Sequence, residues 1–218
     1  MAGMEQKLLF DTKWELPVEN DLFARGYKLI AGADEVGRGA LAGPLVTAAV
    51  ILDPSHSIKG IKDSKKLSPK KREELADKIR KRAIAWSIDI ISNEEVDNFN
   101  VLEATKISMR RSIKKLAHTP DLVLIDAIKL SGLDIEALSL VKGDQLSLNI
   151  GAASIIAKVF RDDLMCKFAK NYPAYGFDKN KGYGTREHLE ALRNVGPCPV
   201  HRFSFKPIKG QIYHACCK

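Results

Sequence analysis

Gly32-Ala33-Asp34-Glu35-Val36-Gly37-Arg38-Gly39-Ala40-Leu41-Ala42-Gly43-Pro44, with the apolar run Leu45–Leu52 behind it, is the stretch whose reading decides the rest of this chain. Two adjacent carboxylates run into a Gly-Arg-Gly turn. Carboxylates of this kind hold hard divalent cations through oxygen. A glycine-rich turn lets backbone approach a ligand closely, and a single arginine between the glycines offers a phosphate a planar fork of donors. The segment reads as a metal site beside a phosphate-contacting loop, which is the equipment of an enzyme acting on a phosphodiester.

Working outward, Lys28–Ala33, Leu45–Leu52 and Ala83–Ser92 read as strands, the last because it mixes β-branched and aromatic residues. Ser68-Pro69 ahead of KKREELADKIRKR reads as a helix start, with serine at the cap and proline at the first position. Asn100–Ala117 carries apolar residues at helical spacing and reads as a helix packed on a sheet. Leu122–Asp126 is a short apolar run ending in an acid, as a buried parallel strand does, and Ile135–Val141 is a further short strand ended by Lys142-Gly143-Asp144. Ser147–Ala169 is apolar on most faces and opens on small residues, so it reads as a buried helix; Glu187–Asn194 is a last short helix, stopped by Gly196-Pro197. Antiparallel strands come first and βα units follow. The fold class is therefore α/β with a mixed sheet.

Ligands of open α/β sheets bind outside the carboxyl ends of the strands. Asp34, Asp126 and Asp144 each stand where an apolar run ends, so Asp34, Glu35, Asp126 and Asp144 are expected to converge from separate elements. Adjacent residues of a regular strand point to opposite faces. Asp34 and Glu35 can therefore share one site only if their strand ends or bulges there, and Gly37 and Gly39 just downstream favour that.

The 218 residues carry a formal net charge of +8. Residues 59–82 hold eleven Lys/Arg against four Asp/Glu, and residues 166–218 hold ten against three, so two basic segments flank an acid-containing middle. This suits a protein that grips a polyanion around metal-binding acids. Cys166, Cys198, Cys216 and Cys217 show no paired spacing, which argues against a zinc site and a disulfide framework. No run of ~18 apolar residues exists, so no membrane span is expected. The first twenty residues lack a basic stretch followed by an apolar core, and the expected location is cytoplasmic.

The blocks GADEVGRGALAGPLVTAAVIL, KDSKKLS, LIDA, KGD, GAASIIAKVFRD, NKGYGTREHL and GPCPVHRFSF follow one another in the order of bacterial ribonuclease HII, and the chain resembles that family from about Ile30 to Phe205. The resemblance implies a ribonuclease H-like mixed five-stranded sheet flanked by helices, with a small C-terminal helical extension. It divides the chain into an N-terminal extension (1–27), a catalytic core (28–170) and a C-terminal helical part with its tail (171–218). It implies an endoribonuclease that hydrolyses the RNA strand of RNA–DNA hybrids and cuts 5′ to single ribonucleotides embedded in duplex DNA. Asp34, Glu35, Asp126 and Asp144 match the four catalytic, metal-holding acids. Gly37, Arg38 and Gly39 match the substrate-reading loop, and Tyr183 in KGYGT matches the junction-sensing tyrosine. The type HIII relative, which carries an N-terminal DNA-binding domain, is disfavoured by the short stretch ahead of Ile30.

On this reading two ions, Mg2+ or Mn2+, are held by the four acids, with Asp34 bridging. Backbone groups of Gly37 and Gly39 read the 2′-hydroxyl, Arg38 holds the neighbouring phosphate, and the Tyr183 ring packs on the next nucleotide. Lys62, Lys65 and Lys66 bind phosphates, with Ser64 as a further donor. Ser154 and Lys158, four apart on the buried helix, share a face expected to look toward the site. His201 and Arg202 are structural or phosphate contacts. Gln211-Ile212-Tyr213 hints at a clamp-binding peptide but lacks the expected aromatic pair, so a clamp partner stays open, and a monomer is expected. Two rivals remain at this stage: a non-catalytic nucleic-acid-binding module, and a ribonuclease H-like nuclease acting on DNA alone.

Overall fold

The computed structural model describes residues 18–56, 58–61 and 67–210. In chain order the elements are α1 (Val18–Ala24), β1 (Ile30–Val36), β2 (Leu45–Ile51), α2 (Pro69–Arg82), β3 (Ala85–Ile91), α3 (Asn93–Phe99), α4 (Val101–Lys114), β4 (Leu122–Asp126), β5 (Glu136–Leu140), α5 (Gly143–Leu146), α6 (Leu148–Asn171), α7 (Phe177–Asn180) and α8 (Arg186–Val195), with a 3-10 turn at Pro173–Tyr175. The helix starts are written in the sequence. Ser68 accepts from Lys71 N, Ser92 and Glu95 form a reciprocal capping box, Asn100 accepts from Leu102 N and Glu103 N, and Ser147 accepts from Ile150 N. Each such cap stabilises its helix by about 1 kcal/mol.

The sheet has the order β3-β2-β1-β4-β5. β1, β2 and β3 pair antiparallel, whereas β4 runs parallel to β1 and β5 parallel to β4. The mixed sheet expected from the sequence is the one observed. All seven residues of β2 are buried because both of its faces are covered. Val46, Ala48 and Val50 pack with α2 and α6, while Ala49 and Ile51 pack with Met109 and Ile113 of α4 and with Val123 and Ile125 of β4. A third cluster joins Leu41 and Ala42, just after β1, to Met165, Tyr175, Phe177 and Leu192 of the C-terminal helical part. Besides the short α5, α7 and the 3-10 turn, two elements were not read from the sequence. α3 is a short helix between Ser92 and Asn100, and α1 buries Val18 and Leu22 against Ile30, Leu122, Leu124 and Ile150.

The long helix α6 presses closely on β1. A Cβ at Gly32 would collide with the Ile150 backbone nitrogen and with Asn149, so only glycine permits this approach. Two positions on from Gly32, on the same face, is Asp34. The close packing therefore delivers the side chains of α6 to the carboxyl end of β1.

Candidate active site

Asp34 and Glu35 lie within β1, which runs to Val36 in regular antiparallel register with β2: Asp34 opposite Ala48, Glu35 opposite Thr47, Val36 opposite Val46. The expected bulge is therefore not the device that opens the site. The opening comes from the other neighbour, because the parallel pairing with β4 stops at Ala33–Ile125. Asp34 follows Ala33 and Asp126 follows Ile125, so both acids leave the paired ladder at the same level. Asp34 faces α6, where the Ser154 hydroxyl works against the rise in its pKa. Its Oδ1 also accepts from Glu35 N at 2.7 Å. Glu35 turns to the opposite face, and its Oε1 meets Arg38 Nη1 at 3.2 Å while its buried Oε2 has no hydrogen-bond partner.

Asp126 Oδ1 accepts from Gly143 N at 2.7 Å, which fixes the strand end to the residue immediately before Asp144. The backbone on either side of this bond is unusual. Ala127 and Lys142 both have positive φ, at 50° and 57°, in a region that non-glycine residues adopt at a cost of order 1 kcal/mol. Strained backbone of this kind clusters where a side chain must be aimed.

The electrostatics tie three of the four acids together. Burial first, then the Glu35 charge, raises the Asp34 pKa to about 8, with Asp126 adding to the rise. Glu35 is raised first by burial and further by Asp126, against the opposing pull of Arg38. Carboxylates that raise one another in this way repel across a shared, poorly solvated space, and for Glu35 the single Arg38 contact does not offset its burial. Among the described residues no three acid, imidazole or thiol side chains are gathered tightly enough to cage an ion alone. Magnesium-type ions do not require a full protein cage, because they keep waters and take oxygens from a bound phosphate. An unpartnered buried carboxylate oxygen, an all-oxygen donor set and mutual repulsion relieved by a cation all fit a divalent ion.

Beside the acids is the Gly-Arg-Gly loop. Its two glycines have different reasons. Gly37 has φ +94, and a Cβ there would collide with the Arg161 guanidinium, so the protein itself demands glycine. A Cβ at Gly39 would meet no protein atom within 4 Å, and both Arg38 and Gly39 are exposed. Gly39 thus presents bare backbone to whatever binds outside.

Tyr183 stands behind this loop, half-buried, with Arg161 Cζ 5.4 Å and Lys158 Nζ 5.9 Å from its ring centroid. Lys158 also pairs with Asp162 at 2.7 Å. Ser154 and Lys158 lie four apart on α6, Ser154 acting on Asp34 and Lys158 standing near the Tyr183 ring. Lys62, Ser64, Lys65 and Lys66 lie outside the described residues, as does Gln211–Tyr213.

Several polar residues of this region were not singled out from the sequence or were left with two readings. Arg161 and Arg202 are fully buried, so Arg202 is a structural group and not a phosphate contact. His201 is likewise buried, in a relay with His188. Cys198 N donates to His201 Nδ1 at 2.9 Å, the two Nε2 atoms are 3.0 Å apart, and His188 Nδ1 lies 2.9 Å from the Tyr183 carbonyl. One tautomer assignment satisfies every pair: His201 protonated on Nε2, His188 on Nδ1. At the other end of the site, buried Glu19 of α1 accepts through Oε1 from Ser147 Oγ, Asn149 N and Asn149 Nδ2, tying α1 to the start of α6 directly after Asp144 and α5. No motif marks Glu19. Arg161 is one of several charged residues of α6, and only its burial sets it apart.

Residues 31–208 match the family model described as ribonuclease HII. A ribonuclease HII from Listeria monocytogenes is 52% identical over 96% of this chain and 80% of its own length. Among solved structures, the ribonuclease H2 of Pyrococcus horikoshii superposes with a TM-score of 0.73 at 24% identity, covering 83% of this chain and 95% of its own, which bears on the fold alone. The ribonuclease HII of Archaeoglobus fulgidus, solved in complex with PCNA, gives a TM-score of 0.70 at 26% identity, covering 85% of this chain and 98% of its own.

Proposed function

The chain belongs to the ribonuclease HII family of nucleases, and from that premise we propose that it hydrolyses the RNA strand of RNA–DNA hybrids and cuts 5′ to single ribonucleotides embedded in duplex DNA, leaving 5′-phosphate and 3′-hydroxyl ends. The observation that carries this reading is the juxtaposition at one sheet edge. Asp34, Glu35 and Asp126 repel one another at the ends of β1 and β4, and β1 runs directly into a loop whose Arg38 and Gly39 are exposed.

The four acids Asp34, Glu35, Asp126 and Asp144 would hold two divalent ions, Mg2+ or Mn2+, with Asp144 on the side of the attacking water and Glu35 and Asp126 on the side of the leaving group. When bound, such ions supply an activated water and neutralise phosphate charge. The chain's own residues do the rest. Ser154 orients Asp34, and Gly143 N orients Asp126. Bare backbone at Gly39 meets the 2′-hydroxyl, whose capacity both to donate and to accept tells RNA from DNA. Arg38, exposed beside Glu35, would turn its planar fork onto the adjoining phosphate. The Tyr183 ring stacks on the nucleotide 3′ of the ribose, and Lys158 adds charge beside it. A cytoplasmic, monomeric enzyme working in ribonucleotide removal is the setting that goes with this reading; the described residues contain no helix long and apolar enough to cross a membrane.

The test is cleavage of a labelled DNA duplex carrying one internal ribonucleotide, with Mg2+, Mn2+ and EDTA in parallel. A single metal-dependent cut 5′ to the ribose is expected. Cleavage of a long hybrid without that cut would remove the single-ribonucleotide specificity, and cleavage of an all-DNA duplex at equal rate would replace the reading by a DNA-directed nuclease.

A further inference from the structure

Arg161 and Arg202 are the two largest fully buried side chains of the described residues, and neither is ion-paired within 4 Å with a carboxylate of the described residues. Their donors go to backbone carbonyls. Arg161 donates through Nε to Pro44 O at 2.9 Å, through Nη2 to Ala42 O at 3.1 Å and through Nη1 to Lys181 O at 2.8 Å. Arg202 donates to Arg38 O at 3.0 Å and twice to Gly43 O, at 3.0 and 3.2 Å. Every acceptor belongs to the loop that begins at Gly37 or to the turn that carries Tyr183. The two segments are also joined directly, since Leu41 N and Ala42 N both donate to Gly182 O, at 2.8 and 3.2 Å.

Burying a charge without a counter-ion is expensive, and only a full set of hydrogen bonds makes it tolerable. Here every guanidinium nitrogen of both arginines donates to a carbonyl, six charge-assisted bonds from two rigid forks, and they fix the direction of each carbonyl they hold. Lysine, a point charge on a flexible stem, cannot hold three carbonyls in one plane. The Arg161 guanidinium also lies against the Tyr183 ring and under Gly37, whose lack of a Cβ makes room for it.

We propose that Arg161 and Arg202 are positioning residues for substrate selection: they lock the Gly37–Pro44 loop and Tyr183 into one preassembled reading unit, so that the ribose-contacting backbone and the stacking ring keep a fixed spacing. The inference rests on the proposed function, which assigns that loop and that ring to the ribose and its neighbour. Its consequence is selective. A long hybrid presents a ribose at every position and tolerates a loosened register, whereas a single ribonucleotide offers one ribose at one spacing.

The experiment compares the wild type with Arg161→Lys, Arg202→Lys, Tyr183→Ala and the double variant Arg161→Lys/Tyr183→Ala. It measures kcat and KM on a duplex with one ribonucleotide and on a long hybrid, with thermal melts alongside. Arg161→Lys is expected to lower kcat/KM on the single-ribonucleotide duplex by about 50-fold and on the hybrid by under about 5-fold, and to add less than about 2-fold once Tyr183 is already alanine. Arg202→Lys is expected to follow the same pattern more weakly. Parallel loss on both substrates, whether or not the melt also falls, assigns the arginines to general stability and overturns the proposal. So do full additivity with Tyr183→Ala and wild-type behaviour of both lysine variants. If the wild type itself does not cut the single-ribonucleotide duplex, the proposed function fails and this inference falls with it. Additive losses in an enzyme that does cut remove the positioning role alone.

Discussion

The acid cluster at the ends of β1 and β4 and the arginine–histidine frame behind Tyr183 lie side by side and are built on opposite terms. In the first, like charges are buried together, a Glu35 oxygen has no partner, and the pKa values of Asp34 and Glu35 rise. In the second, two buried guanidiniums and two buried imidazoles find an acceptor or donor for each group that needs one. The difference separates a surface that awaits a ligand from a scaffold that is finished without one. On the proposed function, cations and a phosphate would complete the acids, and the bonds made behind Tyr183 would keep the loop and ring from moving.

The widest test of that contrast is Asp126→Asn. The amide oxygen can still accept from Gly143 N, so the fold survives, and removing a negative charge from a repelling set leaves the melting temperature equal or higher. Cleavage should nevertheless fall by about 1,000-fold or more. Thermal melts with and without Mn2+ sharpen the point: the ion should raise the wild-type midpoint and raise that of Asp126→Asn much less. Near-wild-type cleavage would take Asp126 out of the site.

Tyr183→Ala tests the other side. Single-ribonucleotide cleavage should drop about 100-fold and hybrid cleavage about 10-fold, because stacking contributes more where only one nucleotide step is diagnostic. Equal losses would make Tyr183 a general binding group. The two glycines of the loop divide along the same line. Gly37→Ala must strain a φ of +94 and displace Arg161, so a cost of about 2 kcal/mol, or a melting temperature lower by about 5 °C, is expected. Gly39→Ala meets no protein atom, so its melt should be unchanged while its activity falls. Calorimetry and cleavage on the pair of variants would decide whether the frame or the substrate requires each glycine.

The smallest expected effect concerns the histidine relay. Burial, and for His201 also the His188 charge, lowers both pKa values, that of His201 to about 4. The unfolded chain therefore binds more protons than the folded one between about 6.5 and about 4. The relay's contribution is complete above about pH 6.5 and is lost as the pH falls, with about 1 kcal/mol gone by roughly pH 5.5. Asp34 acts with the opposite sign, since its raised pKa makes the metal-free chain gain stability as the pH falls through about 8. Urea midpoints of the wild type minus those of His201→Gln, taken from pH 7 to 4.5, isolate the relay. A difference that does not vary with pH would show that the pair does not titrate in this range.

Much of this architecture is legible in the chain. Leu45–Leu52, Leu122–Asp126, Ser68-Pro69 and Ser147–Ala169 announce their elements because strand periodicity, caps and apolar length are local properties. Asp34 and Asp126 stand near the strand ends that the apolar runs mark, whereas Asp144 lies in α5. α1 and α3 were missed: both are seven residues long, α1 anchored by a few apolar contacts to distant strands and α3 a capped helix of about two turns that composition does not distinguish from a loop. The roles of Glu19, Arg161, His188 and Arg202 were also out of reach, since their partners lie between 5 and 164 positions away along the chain and are mostly backbone carbonyls or amides.

The sequence by itself determined the mixed α/β sheet, the acids at its strand ends, the glycine turn beside them and the two basic flanks, because these are written in spacing and residue type. Only the tertiary structure decided how Asp34 and Glu35 come to one site: by the end of the β1–β4 ladder, with no bulge. It also decided that Gly37 is small to admit Arg161 whereas Gly39 is small toward the outside, and that Arg202 and His201 brace the reading loop from within. The physical reason is common to all three. A hydrogen bond to a main-chain carbonyl carries no mark of its partner in the residue alphabet, so its existence is settled only when the chain has folded back on itself.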